Sequence, residues 1–194
     1  MASDQLSLFS VQEQHKLQRY RTSEDTILGA AALQAWTRKV YRFQREVRYA
    51  TGPHQTLLFD APQTQGTIDP YHLDPFSLRQ QNIEFWRWQY DEAGAAALYF
   101  VVDYERPILL YVGETKKSNQ RWKGVHDCKR YVTNYVMAHR HHGLPTTVNI
   151  GFMTGAPEAR KARQQLESCL IERWRSPFNK ENWTFWSTPF VSGD

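Results

Sequence analysis

The sequence predicts an α+β domain on a small three-stranded antiparallel sheet flanked by helices, preceded by a mainly helical and looped arm. Three observations predict it. Two apolar runs, Ala96–Val102 and Ile108–Val112, flank the polar break Asp103-Tyr104-Glu105-Arg106-Pro107, the pattern of a hairpin. Thr147–Met153 alternates, with Val148, Ile150 and Phe152 on one face, as a half-buried strand does. Two stretches with apolar residues at three-to-four spacing fall after the hairpin and after that strand, giving the order β-β-α-β-α.

Taken in order, residues 1–24 are polar and punctuated, with a short helix expected over Gln12–Tyr20. Thr26–Val47 reads as a longer helix, since Ile27, Ala31, Leu33 or Gln34, Trp36 and Val40 recur at roughly helical spacing. Residues 50–76 carry Gly52-Pro53, Ala61-Pro62, Asp69-Pro70 and Asp74-Pro75, all turn signals, and read as a linker. Phe76–Tyr90, with Phe85, Trp86, Trp88 and Tyr90, reads as a segment docking the arm on the following domain. The chain thus divides into a tail (1–24), an arm and linker (25–94) and a domain (95–194).

Within that domain, Ala96–Val102 is apolar enough for a strand buried on both faces. Ser118 or Asn119 can cap the next helix. Its stripe is Trp122, Val125, Cys128 or Lys129, Val132, Tyr135 and Val136, and Gly143-Leu144-Pro145 ends it. Pro157 is suited to open the second helix. That helix has an inner face of Ala159, Ala162, Leu166, Cys169 or Leu170, and Arg173, closed by Ser176-Pro177.

Composition bounds the function. The 194 residues are 41% hydrophobic and 14% aromatic, enough for a real core, and the seven tryptophans suit a cover between arm and domain. The net charge of +4 favours a polyanionic partner. Cys128 and Cys169 have no paired spacing, so a disulfide framework and a cysteine zinc finger are not expected. His126, Cys128, His139, His141 and His142 have no recognised tetrahedral zinc spacing either. No apolar stretch approaches a membrane span, and the first residues lack a secretion-signal pattern, so a cytoplasmic protein is expected.

The chemistry-bearing residues follow a definite order: Tyr99 and Tyr111 in the hairpin, Arg121 in a basic stretch, Glu167 in a helical pattern, Asn179 just past a proline. Phosphodiester hydrolysis requires such a set: a base, a cationic clamp, a metal carboxylate and a polar positioning group. Each residue also has an ordinary reading. Tyrosine is a good strand residue, Arg121 alone is a solvated charge, and Glu167 alone makes an exposed ion pair with Arg163 one turn away.

These residues together resemble the GIY-YIG nuclease family over about half the chain, residues 95–185. The resemblance rests on Ala97-Leu98-Tyr99, Tyr111-Val112-Gly113, Gln120-Arg121-Trp122-Lys123, Leu166-Glu167 with Leu170-Ile171, and Pro177-Phe178-Asn179. Two positions depart from the family pattern. Ala97 stands where the family has Gly. The family's His or Tyr four residues after the arginine is replaced by Val125, with His126 one residue on, about 100° around a helix.

The resemblance implies a one-metal endonuclease. Glu167 would hold Mg²⁺ (or Mn²⁺), Arg121 would stabilise charge on the phosphate, and Asn179 would fix the site. Tyr99 is favoured as the base that activates water, with Tyr111 as its partner. Lys116, Lys117, Lys123, His126, Lys129, Arg130 and Arg140 would contact DNA phosphates.

At the N-terminus, Gln5-Leu6-Ser7-Leu8-Phe9 resembles the peptide by which bacterial DNA enzymes dock on the DNA polymerase III β sliding clamp. Leu8 and Phe9 would fill an apolar pocket and Gln5 would pair at its rim. Gln55-Thr56-Leu57-Leu58-Phe59 is a looser second copy. The expected function is a metal-dependent DNA endonuclease of repair or recombination, acting on mismatched or branched DNA and recruited by the clamp. A catalytically decayed DNA- or clamp-binding adaptor and a sequence-specific restriction-type nuclease stay open. So does a homodimer, which double-strand cutting from one active site needs unless two nicks follow in succession.

Overall fold

A computed structural model describes residues 28–50, 68–82, 95–116 and 127–191. The two apolar runs pair as the hairpin β2 (Ala97–Asp103) and β3 (Ile108–Thr115). β4 (Val148–Thr154) pairs antiparallel on the other side of β2. Beyond β4 lies a three-residue strand, β1 (Gln80–Asn82), so the sheet is four-stranded in the order β1-β4-β2-β3. This corrects the three-stranded expectation. Gln80-Gln81-Asn82 has no apolar alternation, so nothing in its pattern marks a strand. As a short polar edge strand it needs only backbone pairing to β4.

Helices cover both faces of the sheet. Tyr99, Val101, Ile108, Leu110 and Ile150 pack with Leu33, Trp36 and Val40 of α1 (Ala30–Tyr49) and with Tyr131, Val132 and Tyr135 of α2 (Asp127–His141). Leu98, Phe100, Val102, Leu109 and Val112 pack against Leu166, Leu170 and Trp174 of α3 (Arg160–Trp174). The alternation of β2 between these clusters explains its unbroken burial: each face meets a helical layer. Each such aliphatic side chain contributes about 1.5–3 kcal/mol by leaving water. The chain closes with a short helix, α4 (Trp183–Trp186). Trp36 of α1 donates from its indole N–H to the Trp186 carbonyl at 3.1 Å, joining the two ends of the described chain.

A bulge sets the orientation of β3. The register shifts between Val101 and Val102: Val101 pairs with Tyr111 and Val102 with Leu109, leaving Leu110 over. Leu110 and Tyr111 therefore lie on the same face, and the backbone groups of Leu109 and Val112 both point to the open edge. That edge is closed by two side-chain amides. Gln44 of α1 accepts from Leu109 N–H at 2.7 Å and donates to the Leu109 carbonyl at 2.9 Å. Asn179 does the same at Val112, at 3.0 and 2.9 Å. Each amide stands in for a neighbouring strand, satisfying buried backbone groups that would otherwise lack partners.

Asp103, buried at the closed end of the hairpin, accepts four hydrogen bonds: from the Tyr135 hydroxyl (2.7 Å), Thr146 Oγ1 and the Glu105 and Thr147 N–H groups (3.0 Å each). Burial, then the nearby Asp103 carboxylate, pushes the Tyr135 phenol well above its usual 10.0. His139, whose ring bonds the Tyr135 carbonyl at 2.9 Å, is held below its usual 6.5 by burial.

Helix boundaries differ from expectation at informative places. α3 begins at Arg160, not Pro157, because the Pro157 and Glu158 carbonyls are turned to accept from the Arg163 guanidinium at 2.8 and 3.1 Å. Its inner face is Arg163, Leu166, Leu170, Ile171 and Trp174, whereas Cys169 is exposed. The helix ends through Arg175 in a left-handed conformation, φ 48°, ahead of Ser176-Pro177. α2 ends at His141, with Gly143 at φ 63°. Among the described residues no helix is long and apolar enough to cross a membrane.

Candidate functional site

A cleft of about 460 Å³ opens beside the edge of β3, between α2 and α3. Tyr111 lines it from β3, Asp127, Cys128 and Tyr131 from α2, and Glu167, Ser168 and Ile171 from α3. The turn after α3 supplies Phe178, Asn179, Lys180 and Glu181. Three of the five expected catalytic residues, from stretches far apart in sequence, therefore share one cavity: Tyr111, Glu167 and Asn179.

The reasons are local. The bulge turns Tyr111 towards α2 rather than into the layer under α3. Glu167 follows the buried Leu166 on α3, so its side chain emerges half-buried at the border of the helix's inner face. Asn179 sits in a tight turn: its N–H donates to the Ser176 carbonyl at 3.3 Å, and its Oδ1 also accepts from Ser176 Oγ at 2.7 Å. With both ends of its amide committed, Asn179 fixes the strand beside Tyr111.

Tyr99 is placed differently. It has no solvent exposure, and its ring stacks against Tyr111 with centroids 5.9 Å apart and planes at 28°. It crosses over Gly113, its cross-strand partner, and an added Cβ there would lie 2.2 Å from the ring's Cζ. Only a residue without a side chain admits the ring, which explains Gly113 without any positive φ. The preference for Tyr99 as the water-activating base is revised on this ground. Tyr111 borders the cleft; Tyr99 backs it. Ala97 lies in regular strand pairing with Thr115 and Thr154, so the alanine there causes no strain.

Arg121, Lys117, Lys123 and His126 lie outside the described residues, as do Gln5–Phe9 and Gln55–Phe59. Lys116 is exposed just past β3. Lys129 is half-buried and Arg130 exposed in the first turn of α2, beside the cleft residue Cys128. Arg140 is at the other end of that helix, about 15 Å along its axis from Arg130, so the structure does not bring it to the cleft.

The ion pair of Glu167 with an exposed Arg163 is also corrected. Arg163 is fully buried and pairs through Nε with Glu114 of β3 at 2.7 Å. Its Nη2 is buried without a hydrogen-bond partner among the described residues.

Sequence reasoning missed several contributors. Gln44 holds the β3 edge, and its signal was a polar residue on the α1 stripe Leu33–Trp36–Val40–Gln44–Val47. Lys180 and Glu181 line the cleft directly after Asn179, where adjacency to the last motif was the available hint. Tyr131 carries no signal that separates it from a core aromatic.

Among the described residues there is no group of three or more His, Cys, Asp or Glu side chains that could hold a metal ion. The carboxylates that line the cleft, Asp127, Glu167 and Glu181, nonetheless suit Mg²⁺, which takes one or two carboxylates and keeps several waters. Comparisons with family models, curated proteins and solved structures give no match for this chain.

Proposed function

We propose that this chain is a divalent-metal-dependent DNA endonuclease of the GIY-YIG type, working in the bacterial cytoplasm on repair or recombination substrates and recruited through its N-terminal peptide to the sliding clamp. The observation that carries the reading is the convergence of Tyr111, Glu167 and Asn179 on one cleft, with Tyr99 stacked behind. Glu167 is the carboxylate for Mg²⁺ or Mn²⁺, which when bound supplies positive charge to a phosphodiester. Tyr111 is the phenol within reach of an attacking water, and Tyr99 holds its ring plane. Asn179 keeps the strand under Tyr111 from shifting, so the phenol meets the phosphate in a fixed direction. Arg121 provides the planar cation that stabilises the phosphate's growing charge.

The test is cleavage of a panel of nicked, branched, flapped and mismatched duplexes in Mg²⁺ and Mn²⁺, with and without clamp. Glu167→Ala and Arg121→Ala should each abolish cutting while circular dichroism stays that of the parent. Undiminished cutting by both rejects the assignment. Purified clamp should retain the parent chain and lose the Leu8→Ala/Phe9→Ala variant.

A further inference from the structure

The chain's positive charge is concentrated on one helix. α1 holds five basic residues (Arg38, Lys39, Arg42, Arg45, Arg48) against one acid, Glu46, a net +4. That equals the formal excess of the whole chain, so the remainder is neutral. Arg38, Lys39, Arg42 and Arg45 are all exposed, and among the described residues none of the four is in an ion pair; Arg48 is spoken for by Asp74 at 2.8 Å. Arg38, Arg42 and Arg45 fall at i, i+4 and i+7, a single stripe about 10 Å long.

Beside the stripe, about 100° around α1 from Arg38, Lys39 begins a row of cations over aromatic rings that leads to the cleft. Lys39 lies over the Trp186 ring (5.6 Å), Arg175 over Phe185 (5.4 Å) and Lys180, at the cleft, over Trp183 (5.8 Å). Phe185, about half exposed, packs edge-on against Phe43 of α1. A path of cations interleaved with aromatic rings thus runs from α1 across α4 to the cavity.

We propose that this face of α1 binds the phosphate backbone of the duplex whose scissile bond lies in the cleft, independently of base sequence. The inference rests on the reading of DNA as substrate. Arginine forks match phosphate oxygens in pairs, and phosphates recur every 3.4 Å of axis along a strand, so a stripe of about 10 Å spans up to three. An anionic membrane is the poorer fit. Interfacial helices bury an apolar face among lipids, and the apolar face of α1 is already committed to the protein core through Leu33, Trp36 and Val40.

Fluorescence anisotropy of a labelled duplex in EDTA, titrated over a range of salt, separates binding from cutting. The Arg38→Gln/Arg42→Gln/Arg45→Gln variant should flatten the slope of log affinity against log salt by about 2–3, roughly 0.9 for each phosphate no longer neutralised. At about 0.1 M salt this is a loss on the order of 100- to 500-fold, equal for unrelated sequences. Arg79→Gln/Arg106→Gln/Lys161→Gln removes the same charge from positions off the stripe and off the cleft and should leave the slope near that of the parent. An unchanged slope in the α1 variant, or an equal loss in the control, overturns the proposal. So does preferential capture of the parent by phosphatidylserine vesicles or by single-stranded RNA. Cleavage that persists with an unchanged slope removes this inference alone. A flattened slope without any cleavage removes only the endonuclease reading.

Discussion

Replacing Gly113 by alanine should damage the protein through one identifiable contact. An ideal Cβ at this position lies 2.2 Å from Cζ, 2.3 Å from Oη and 2.6 Å from Cε1 of Tyr99, where ordinary contact is 3.4–4 Å. The ring must retreat by more than 1 Å, yet it has no exposure and is flanked by Tyr111 and by Phe152, 6.1 Å away. Overpacking of this kind costs about 1–3 kcal/mol. A cost of about 2 kcal/mol lowers Tm by about 4–8 °C in a chain of this size. Urea titration should show the midpoint moving while the slope m holds. The contact is isolated by a double-mutant cycle with Tyr99→Leu, which shortens the side chain and vacates the clashing position. In the Tyr99→Leu background, Gly113→Ala should cost almost nothing, giving a coupling of about 2 kcal/mol. Equal cost in both backgrounds, or a single variant within about 0.5 kcal/mol of the parent, refutes this account of Gly113. Cleavage should fall in step, because the displaced ring pushes on Tyr111.

Three further outcomes are expected. Asn179→Ala leaves the Val112 N–H and carbonyl without partners and should cost about 1–3 kcal/mol for each group that water does not reach, read by urea unfolding; a cost under about 0.5 kcal/mol would show the edge clamp to be idle. Glu114→Ala strands the buried Arg163 guanidinium and should destabilise by about 3–5 kcal/mol, whereas a near-neutral result would mean that the two carbonyls satisfy it alone. Because His139 is held below 6.5, the unfolded chain takes up a proton near that pH that the folded chain refuses. Its contribution is therefore complete above about pH 6.5 and declines as pH drops below it. Urea midpoints from about pH 8 to pH 5 should fall more steeply in the parent than in His139→Gln; parallel curves would contradict this.

The sequence by itself determined the elements whose pattern is local. The apolar runs at β2 and β3, the alternation at β4 and the helical spacings over α1, α2 and α3 follow from periodicity, which needs no partner to be read. Tertiary structure decided what depends on which groups meet. β1 exists because β4 offers an unpaired edge, and its own residues carry no strand signal. The bulge at Leu110 arises from pairing with β2, and it alone turns Tyr111 towards the cleft. Along the chain Tyr99 is favoured over Tyr111 as the base; stacking over Gly113 buries Tyr99 and leaves Tyr111 at the cavity. Arg163, by pattern a surface charge, is drawn inside by Glu114 and two backbone carbonyls. Burial and pairing are properties of neighbours in space, and a one-dimensional pattern records them only where periodicity itself implies them, as in the apolar run of β2.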